Sequence, residues 1–230
     1  MARKERRPPT RAGRPSRADA ARLRDRILAA ATELFMAEGY GSTSIEAVAA
    51  RARVSKRTFY DRFEDKAQLF SAVVHRIIDE IRPPPEVPLI EGATLRHVLR
   101  RLAGFILRAA LSPQAIALHR LVNAEAVRFP ELVAAVIRDG GAREGISLIS
   151  ELLARQMPEA GLSDEQRAFA AQQFIYMVVT LPQRRAMGFG SPMKPAELDA
   201  WADQVVTLFL TGCQGLGQGQ NATRLSGPRS

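Results

Sequence analysis

Residues 43–66 read TSIEAVAARARVSKRTFYDRFEDK, and this stretch decides the fold. It contains two short helical segments, and each is preceded by a residue type that favours a helix N-terminus. Thr43 and Glu46 have the spacing of a capping box, and Ser55 has the position of a second N-cap. A tight turn near Arg53 separates the two segments. The stretch therefore predicts two short consecutive helices.

Longer helical segments flank this stretch. Before it, apolar residues recur at three- and four-residue spacing over 23–35, and Gly39 suits the C-terminal end of that helix. After it, Asp65 caps a fourth helix whose apolar face continues to Ile81, and the four prolines of 83–88 stop it. Three helices before a longer one, with basic residues around the third, are typical of a helix-turn-helix module.

Beyond residue 92 every strong periodic signal is helical, and no segment has the period of a strand. Further helices are expected to start near Leu95, Pro113, Pro130, Ser163 and Ala196. The helix from Pro130 is expected to reach Leu152 with a kink at Gly140-Gly141. The chain from Gly212 holds five glycines and is expected to be mobile. The predicted fold class is therefore all-α.

Positive charge is concentrated at the N-terminal end of the chain. The net charge is +9, of which +7 falls in residues 1–66 and +2 in residues 67–230. A basic head on a nearly neutral body favours contact with a polyanion such as nucleic acid. A solubilising tail and attraction to phospholipid are the alternatives. No apolar run is long enough to span a membrane and no secretory signal is recognised, so we expect a cytoplasmic protein without membrane contact.

Residues 22–80 closely resemble the DNA-binding signature of the TetR family of transcriptional regulators. The resemblance rests on residues 43–66 and on the lead-in Ile27-Leu28-Ala29-Ala30-Ala31-Thr32-Glu33-Leu34-Phe35 with Gly39-Tyr40. Beyond these residues it extends only to helix number and length. It implies a homodimer that binds double-stranded operator DNA through an N-terminal three-helix helix-turn-helix domain. It also implies a C-terminal helical bundle for dimerisation and ligand sensing. Repression that an effector releases is the usual activity of the family, and activation is the alternative.

The patterns and the resemblance divide the chain into five parts. Residues 1–20 lack large apolar side chains, so this basic arm is expected to be disordered when free. The other expected boundaries are 21–66 for the helix-turn-helix DNA-binding domain, 67–82 for a connecting helix, 83–212 for the ligand-binding and dimerisation domain and 213–230 for a flexible tail.

The predicted recognition helix supplies the candidate base contacts. Lys56, Arg57 and Thr58 lie on its exposed side, and Arg57 can donate two hydrogen bonds to guanine. Phosphate contacts are expected from Thr43, Ser44, Ser55, Tyr60 and Lys66. The roles of Tyr60 and Lys66 are implied by the resemblance alone. Thr43 and Ser55 are alternatively helix caps without a DNA contact.

The helix-turn-helix core is expected to contain Phe35, Val48, Phe59 and Phe63. Tyr60 is an alternative core member, although its neighbour Phe59 already fills the inward position.

Three further arginines surround the predicted turn. Arg53 stands where the family usually carries glycine, which predicts either strain at a left-handed backbone position or an added phosphate contact. For Arg51 and Arg62, a DNA contact and a solvated surface charge are alternatives of equal weight.

The N-terminal arm contains Ala12-Gly13-Arg14-Pro15, which resembles the Gly-Arg-Pro core of an AT-hook. Because Ala12 replaces the usual arginine, the match is partial. Arg11, Arg14 and Arg17 are expected to enter the minor groove or to follow the backbone beside the operator, and unspecific tethering is the alternative.

The C-terminal helices carry candidate dimer and effector residues. The apolar residues assigned to a two-fold four-helix bundle are Phe169, Phe174, Met177, Val178, Trp201, Val205, Leu208 and Phe209, each of which is alternatively core. The effector contacts are sought among polar groups on apolar helices and their neighbours, namely Phe105, His119, Asn123, Gln173, Tyr176, Met177 and Thr180. The expected effector is a hydrophobic small molecule.

No enzyme motif is recognised. The sequence contains no Walker loop, nucleophile elbow, zinc-spaced His/Cys cluster or di-carboxylate helix motif, so neither catalysis nor a cofactor is expected. The alternative to a ligand-controlled regulator is a DNA-binding regulator controlled by a protein partner.

Overall fold

The computed structural model describes residues 17–81, 94–139 and 141–225, and within these ranges every regular element is helical. The all-α prediction is thus confirmed. In chain order the helices are α1 (Arg17–Glu38), α2 (Ile45–Arg51), α3 (Lys56–Tyr60), α4 (Lys66–Ile81), α5 (Leu95–Ala110), α6 (Pro113–Glu125), α7 (Pro130–Asp139), α8 (Ala142–Gln156), α9 (Asp164–Ala186) and α10 (Pro195–Leu225). A 3₁₀ turn, Pro158–Ala160, lies between α8 and α9.

The helix ends of the N-terminal half agree with the sequence, with one correction at α2. Ser55 caps α3 and Asp65 accepts a hydrogen bond in the first turn of α4, as predicted. The N-cap of α2 is Ser44, which accepts from the Ala47 amide at 3.0 Å, so the capping box expected from Thr43 and Glu46 is wrong. Thr43 is buried instead, and its hydroxyl donates to the Gly39 carbonyl at 2.8 Å.

Two other helix bounds differ from the sequence expectation. Helix α7 ends at Asp139 and α8 begins at Ala142, after Gly141 with a φ of 72°. The single long helix expected from Pro130 to Leu152 is therefore two helices. The last helix continues to Leu225 through most of the segment expected to be a flexible tail. Cys213 of this helix is buried in the second hydrophobic core. Helix α10 thus continues beyond Gly212, the point from which its glycine content predicted a mobile segment.

The expected N-terminal arm and the expected domain boundary lie mostly outside the described residues. Residues 1–16 and 82–93 lie outside the described ranges, so the boundary at 82–83 stays a prediction. Helix α1 already begins at Arg17, inside the segment 1–20 that was expected to be disordered.

Buried apolar side chains form two cores. The first joins α1–α4 to the second half of α6 and to α7, through Leu118, Leu121, Val122, Leu132 and Ala135. The second joins α5, α8, α9 and α10. Part of the C-terminal region therefore packs on the helix-turn-helix module, which no local sequence pattern indicated.

In the described ranges no single helix is both long and apolar enough to cross a membrane. Helices α5 and α6, bent by 65° at their junction, meet the length and composition criterion only as a pair.

Candidate nucleic-acid interface

Helix α3 is held in place by a buried aromatic side chain. With five residues it is too short to be stable alone, so its position depends on tertiary contacts. Phe59 is fully buried, and its ring centroid lies 5.6 Å from that of Phe63. Phe35 and Val48 are buried in the same core, which confirms the four predicted core residues. One face of α3 is thereby fixed and the opposite face is presented outward.

The turn between α2 and α3 forms a Schellman motif with an arginine at its left-handed position. The Val54 amide donates to the Ala49 carbonyl at 2.9 Å, and the Arg53 amide donates to the Ala50 carbonyl at 3.1 Å. Arg53 has a φ of 54°, as the departure from the family glycine predicted. A side chain with a Cβ is strained in this region, where glycine is not.

We expect the Arg53→Gly substitution to stabilise the protein by about 1 kcal/mol, because it removes the left-handed strain from the turn. Urea denaturation followed by circular dichroism measures the change. The matched control is Arg53→Ala, which removes the same charge and keeps the strain, and it should show no such gain. Equal stability of the wild-type protein and Arg53→Gly would contradict the assignment of strain.

The outward face of α3 carries the predicted recognition residues. Ser55, Lys56 and Arg57 are exposed, and the Ser55 hydroxyl oxygen accepts from the Thr58 amide at 3.1 Å. Tyr60 is 52% exposed, so it lies on this surface and is not a core residue. The structure thus brings five of the nine predicted DNA contacts together on one short helix and its cap.

An ion pair connects the two helices of the module. Lys56 on α3 pairs with Glu46 on α2. The hydrogen bond from Lys56 lowers the pKa of the Glu46 carboxyl, and the same bond raises the pKa of the Lys56 ammonium. Both groups are solvent-exposed, so the pair contributes little to stability and can open for DNA.

Two other predicted phosphate contacts point into the protein. Lys66 donates from Nζ to the Tyr40 carbonyl at 2.9 Å and to the Thr43 carbonyl at 3.1 Å, and burial lowers the pKa of its ammonium. The buried hydroxyl of Thr43 is bonded to Gly39. Both side chains therefore hold the segment between α1 and α2, and their phosphate contacts stay predictions. Ser44 is exposed at the start of α2, and Arg14 lies outside the described residues.

A pair of residues from the C-terminal region reaches the same segment, and sequence reasoning missed them. Glu125, the last residue of α6, accepts from the Tyr40 amide at 2.5 Å and from the Gly41 amide at 2.7 Å. The Phe129 ring packs against the Tyr40 ring with centroids 5.1 Å apart. No local pattern signals this contact, because 85 residues separate Glu125 from Tyr40.

The seven predicted effector residues differ in their exposure to solvent. Phe105, His119, Gln173 and Met177 are half-buried, whereas Asn123, Tyr176 and Thr180 are exposed. Burial lowers the pKa of His119. An open groove of about 430 Å³ lies between α8 and α9, and its lining residues are Arg143, Ile146, Ser147, Ser150, Glu151, Ala154, Asp164, Arg167 and Ala168. None of the seven predicted residues lines this groove, whose walls combine apolar side chains with the charged Arg143, Glu151, Asp164 and Arg167.

The predicted dimer residues separate into buried and exposed groups. Phe174, Val178, Val205 and Phe209 belong to the core of the single chain, which was the stated alternative. Met177 and Trp201 are half-buried, and the Trp201 indole donates to the Val178 carbonyl at 3.0 Å. Phe169 on α9 is 52% exposed and Leu208 on α10 is 65% exposed. Only these two of the eight lie openly on the surface.

Family models match both regions of the chain. The model described as "Bacterial regulatory proteins, tetR family" matches residues 27–73. The model described as "AefR-like transcriptional repressor, C-terminal domain" matches residues 97–212.

Curated relatives match part of the chain. The HTH-type transcriptional regulator TcmR of Streptomyces glaucescens is 33% identical over 132 residues, which cover 54% of this chain and 56% of TcmR. The HTH-type transcriptional repressor BepR of Brucella suis is 31% identical over 84 residues, which cover 36% of this chain and 38% of BepR. The match thus spans about half of the length of TcmR and a smaller share of the length of BepR.

Solved structures match nearly the whole described chain. A TetR-family regulator from Mesorhizobium loti has a TM-score of 0.66 at 29% identity, covering 85% of this chain and 98% of its own. The Flavonoid-responsive Regulator FrrA has a TM-score of 0.68 at 26% identity, and the match covers 84% of this chain and 97% of the FrrA chain. Together with the exposed recognition helix and the two matching family models, these similarities show that the chain belongs to the TetR family of transcriptional regulators.

Proposed function

We propose that this protein is a sequence-specific transcriptional regulator that binds operator DNA as a homodimer and is released by a small molecule. The observation that carries the proposal is the surface of α3. Ser55, Lys56, Arg57 and Tyr60 project from a helix whose other face is fixed by the buried Phe59. Rigid presentation of donors matters because base readout in the major groove requires defined side-chain directions.

The charge distribution supports DNA as the partner. The net charge of +7 over residues 1–66 lies on the region that contains α3, while the remainder of the chain is nearly neutral. Such a basic surface provides the sequence-independent part of DNA affinity, and the side chains of α3 supply the sequence-dependent part.

Exposed apolar side chains on the last two helices support a homodimer. Phe169 and Tyr176 on α9 are exposed, as are Leu208 and Leu216 on α10. Large apolar side chains on neighbouring helices mark a surface that another molecule covers. On α10 the face around Gly212 is open, since a Cβ built there meets nothing within 4 Å. We infer that two copies pair through α9 and α10 in a four-helix bundle.

Relatives support repression and control by a small molecule. BepR is named a repressor, the C-terminal family model is described as that of a repressor, and FrrA is named as flavonoid-responsive. We therefore expect a ligand-released repressor with a moderately hydrophobic effector. The candidate effector contacts remain Phe105, His119, Asn123, Gln173, Tyr176, Met177 and Thr180.

Fluorescence anisotropy tests the function directly. Purified full-length protein is titrated into labelled DNA from upstream of its own gene and into a scrambled duplex, at physiological salt. Tight binding to the first and weak binding to the second supports a sequence-specific regulator. Equal, weak and salt-sensitive binding to both would reduce the function to unspecific DNA association. Small hydrophobic molecules are then added to the specific complex to identify those that release it.

We expect Arg57→Ala to weaken specific binding by about 1–3 kcal/mol and to relax the preference at one base pair in each half-site, since a bidentate arginine–guanine contact is lost. Competition with operators that carry single base-pair changes measures the preference. Arg22→Ala is the matched control, because it removes the same charge from an exposed position on α1 of the same module. The assignment fails if both variants lose affinity equally for specific and scrambled DNA.

A further inference from the structure

We propose that Glu125 is a positioning residue for operator binding, whose carboxylate fixes the segment 39–43 to the end of α6 and so sets the position of each helix-turn-helix on the dimer. This role rests on the proposed function as a dimeric DNA-binding regulator. We call the two hydrogen bonds from the amides of Tyr40 and Gly41 to Glu125 the Glu125 clamp.

The geometry of the clamp is directional. Each carboxylate oxygen of Glu125 accepts from one of two consecutive backbone amides, at 2.5 and 2.7 Å. Hydrogen bonds to an ionised acceptor are shorter and stronger than those between neutral groups. Two parallel bonds fix both the distance and the orientation of the segment relative to α6.

The backbone of the segment is shaped for this close approach. A Cβ at Gly41 would lie 2.9 Å from Glu125 Oε2 and 3.0 Å from the Phe129 ring. A Cβ at Gly39 would lie 2.7 Å from Glu125 Oε1. Only glycine lets the carboxylate reach the backbone at these two positions without displacing its neighbours.

The carbonyls of the same segment are held from the other side. Lys66 at the start of α4 donates to the carbonyls of Tyr40 and Thr43, and its Nζ lies 4.4 Å from the centre of the Tyr40 ring. Burial is the main cause that raises the pKa of the Tyr40 phenol, and the nearby carboxylate of Glu131 raises it further. The phenol therefore remains neutral. The segment is thus held by α4 within the DNA-binding module and by α6 from the C-terminal region.

The clamp acts on DNA through α2. Segment 39–43 leads directly into Ser44, the N-cap of α2, and α2 is joined to α3 by the tight turn at Arg53. The apolar packing of α6 and α7 on the module is not directional, whereas the two hydrogen bonds of the clamp are. Two half-sites of an operator lie one helical turn apart, about 34–36 Å, so a dimer that binds both needs each module held in one orientation.

Simple electrostatics predicts the opposite outcome from the one we propose. Removing a carboxylate beside the basic module makes it more positive, which alone raises DNA affinity. We expect Glu125→Ala to lower it, because the lost orientation outweighs the gained charge. This difference in sign separates the positioning role from a general charge effect.

The experiment measures operator affinity and spacing preference in full-length protein. Wild type, Glu125→Ala, Glu125→Gln and Gly41→Ala are titrated against the native operator and against one with a base pair inserted between the half-sites. We expect Glu125→Ala and Gly41→Ala to bind the native operator about tenfold more weakly, and their preference for native spacing to fall by a similar factor. Glu125→Gln keeps the shape of the side chain and one acceptor oxygen. Its operator affinity and spacing preference should therefore lie between those of these variants and those of wild type.

The controls separate positioning from folding and from the proposed function. Glu38→Ala removes an exposed carboxylate next to the same segment and should retain both the affinity and the spacing preference. A purely structural role of Glu125 would lower the unfolding midpoint while the folded variant kept its spacing preference, and that result would overturn the proposal. Unchanged affinity in both Glu125→Gln and Gly41→Ala would also overturn it. A wild type without operator preference would refute the proposed function itself.

Discussion

The Phe59→Ala variant should lose about 3–5 kcal/mol of unfolding free energy and all specific operator binding. Phe59 is fully buried and contacts the rings of Tyr60 and Phe63, with centroids 5.5 and 5.6 Å away. A five-residue helix makes too few internal hydrogen bonds to form without such contacts. Removing the ring therefore releases α3 from its fixed orientation as well as leaving a cavity.

Chemical denaturation and operator titration together check this result. The matched control is Phe189→Ala, because Phe189 is 71% exposed and its truncation should change stability by less than about 0.5 kcal/mol. Since α5 and α8–α10 form a separate core, most of the helical circular dichroism should survive in Phe59→Ala. Retention of specific binding at wild-type affinity would show that α3 does not depend on Phe59.

The Leu208→Glu substitution should convert the proposed dimer into a monomer. Leu208 is 65% exposed on α10, and in a two-fold bundle it would be covered by the partner. A carboxylate placed there has to be desolvated without a cation to pair with, at a cost of several kcal/mol for each copy. Because a dimer joins two half-site contacts, we also expect operator affinity to fall by about a hundredfold or more.

Light scattering with size-exclusion chromatography measures the oligomeric state. Val127→Glu is the matched control, because Val127 is fully exposed on the corner between α6 and α7 and belongs to neither α9 nor α10. Phe169→Glu on α9 should reproduce the Leu208→Glu result. Dimers that persist in both Leu208→Glu and Phe169→Glu would place the interface elsewhere.

Local signals in the sequence were sufficient for much of the DNA-binding module. The N-cap at Ser55, the bond to Asp65 and the left-handed residue at Arg53 were all predicted and are present. Each is a local feature, set by side-chain or backbone hydrogen bonds within a few residues of chain. The cap of α2 was assigned one residue early because Thr43 and Ser44 are both good caps, and burial of Thr43 selects between them.

Placement across long sequence separations was not predictable in the same way. Glu125 and Lys66 both lie on helices with ordinary patterns, and only packing brings them to the segment 39–43. Likewise, helical spacing marked Phe174 and Leu208 equally as apolar, whereas packing buries the first and exposes the second. Glycine content predicted a mobile tail, but the buried Cys213 shows that α10 still packs there.

The sequence by itself determined the helical class, the family and the residues displayed by α3, since periodicity, caps and the family signature are local properties. The tertiary structure alone decided that α6 and α7 pack on the DNA-binding module and that Glu125 holds the segment before α2. It also decided which apolar residues of α9 and α10 remain exposed. The physical reason is that burial and hydrogen bonding between distant segments depend on how whole helices pack, which no local pattern encodes.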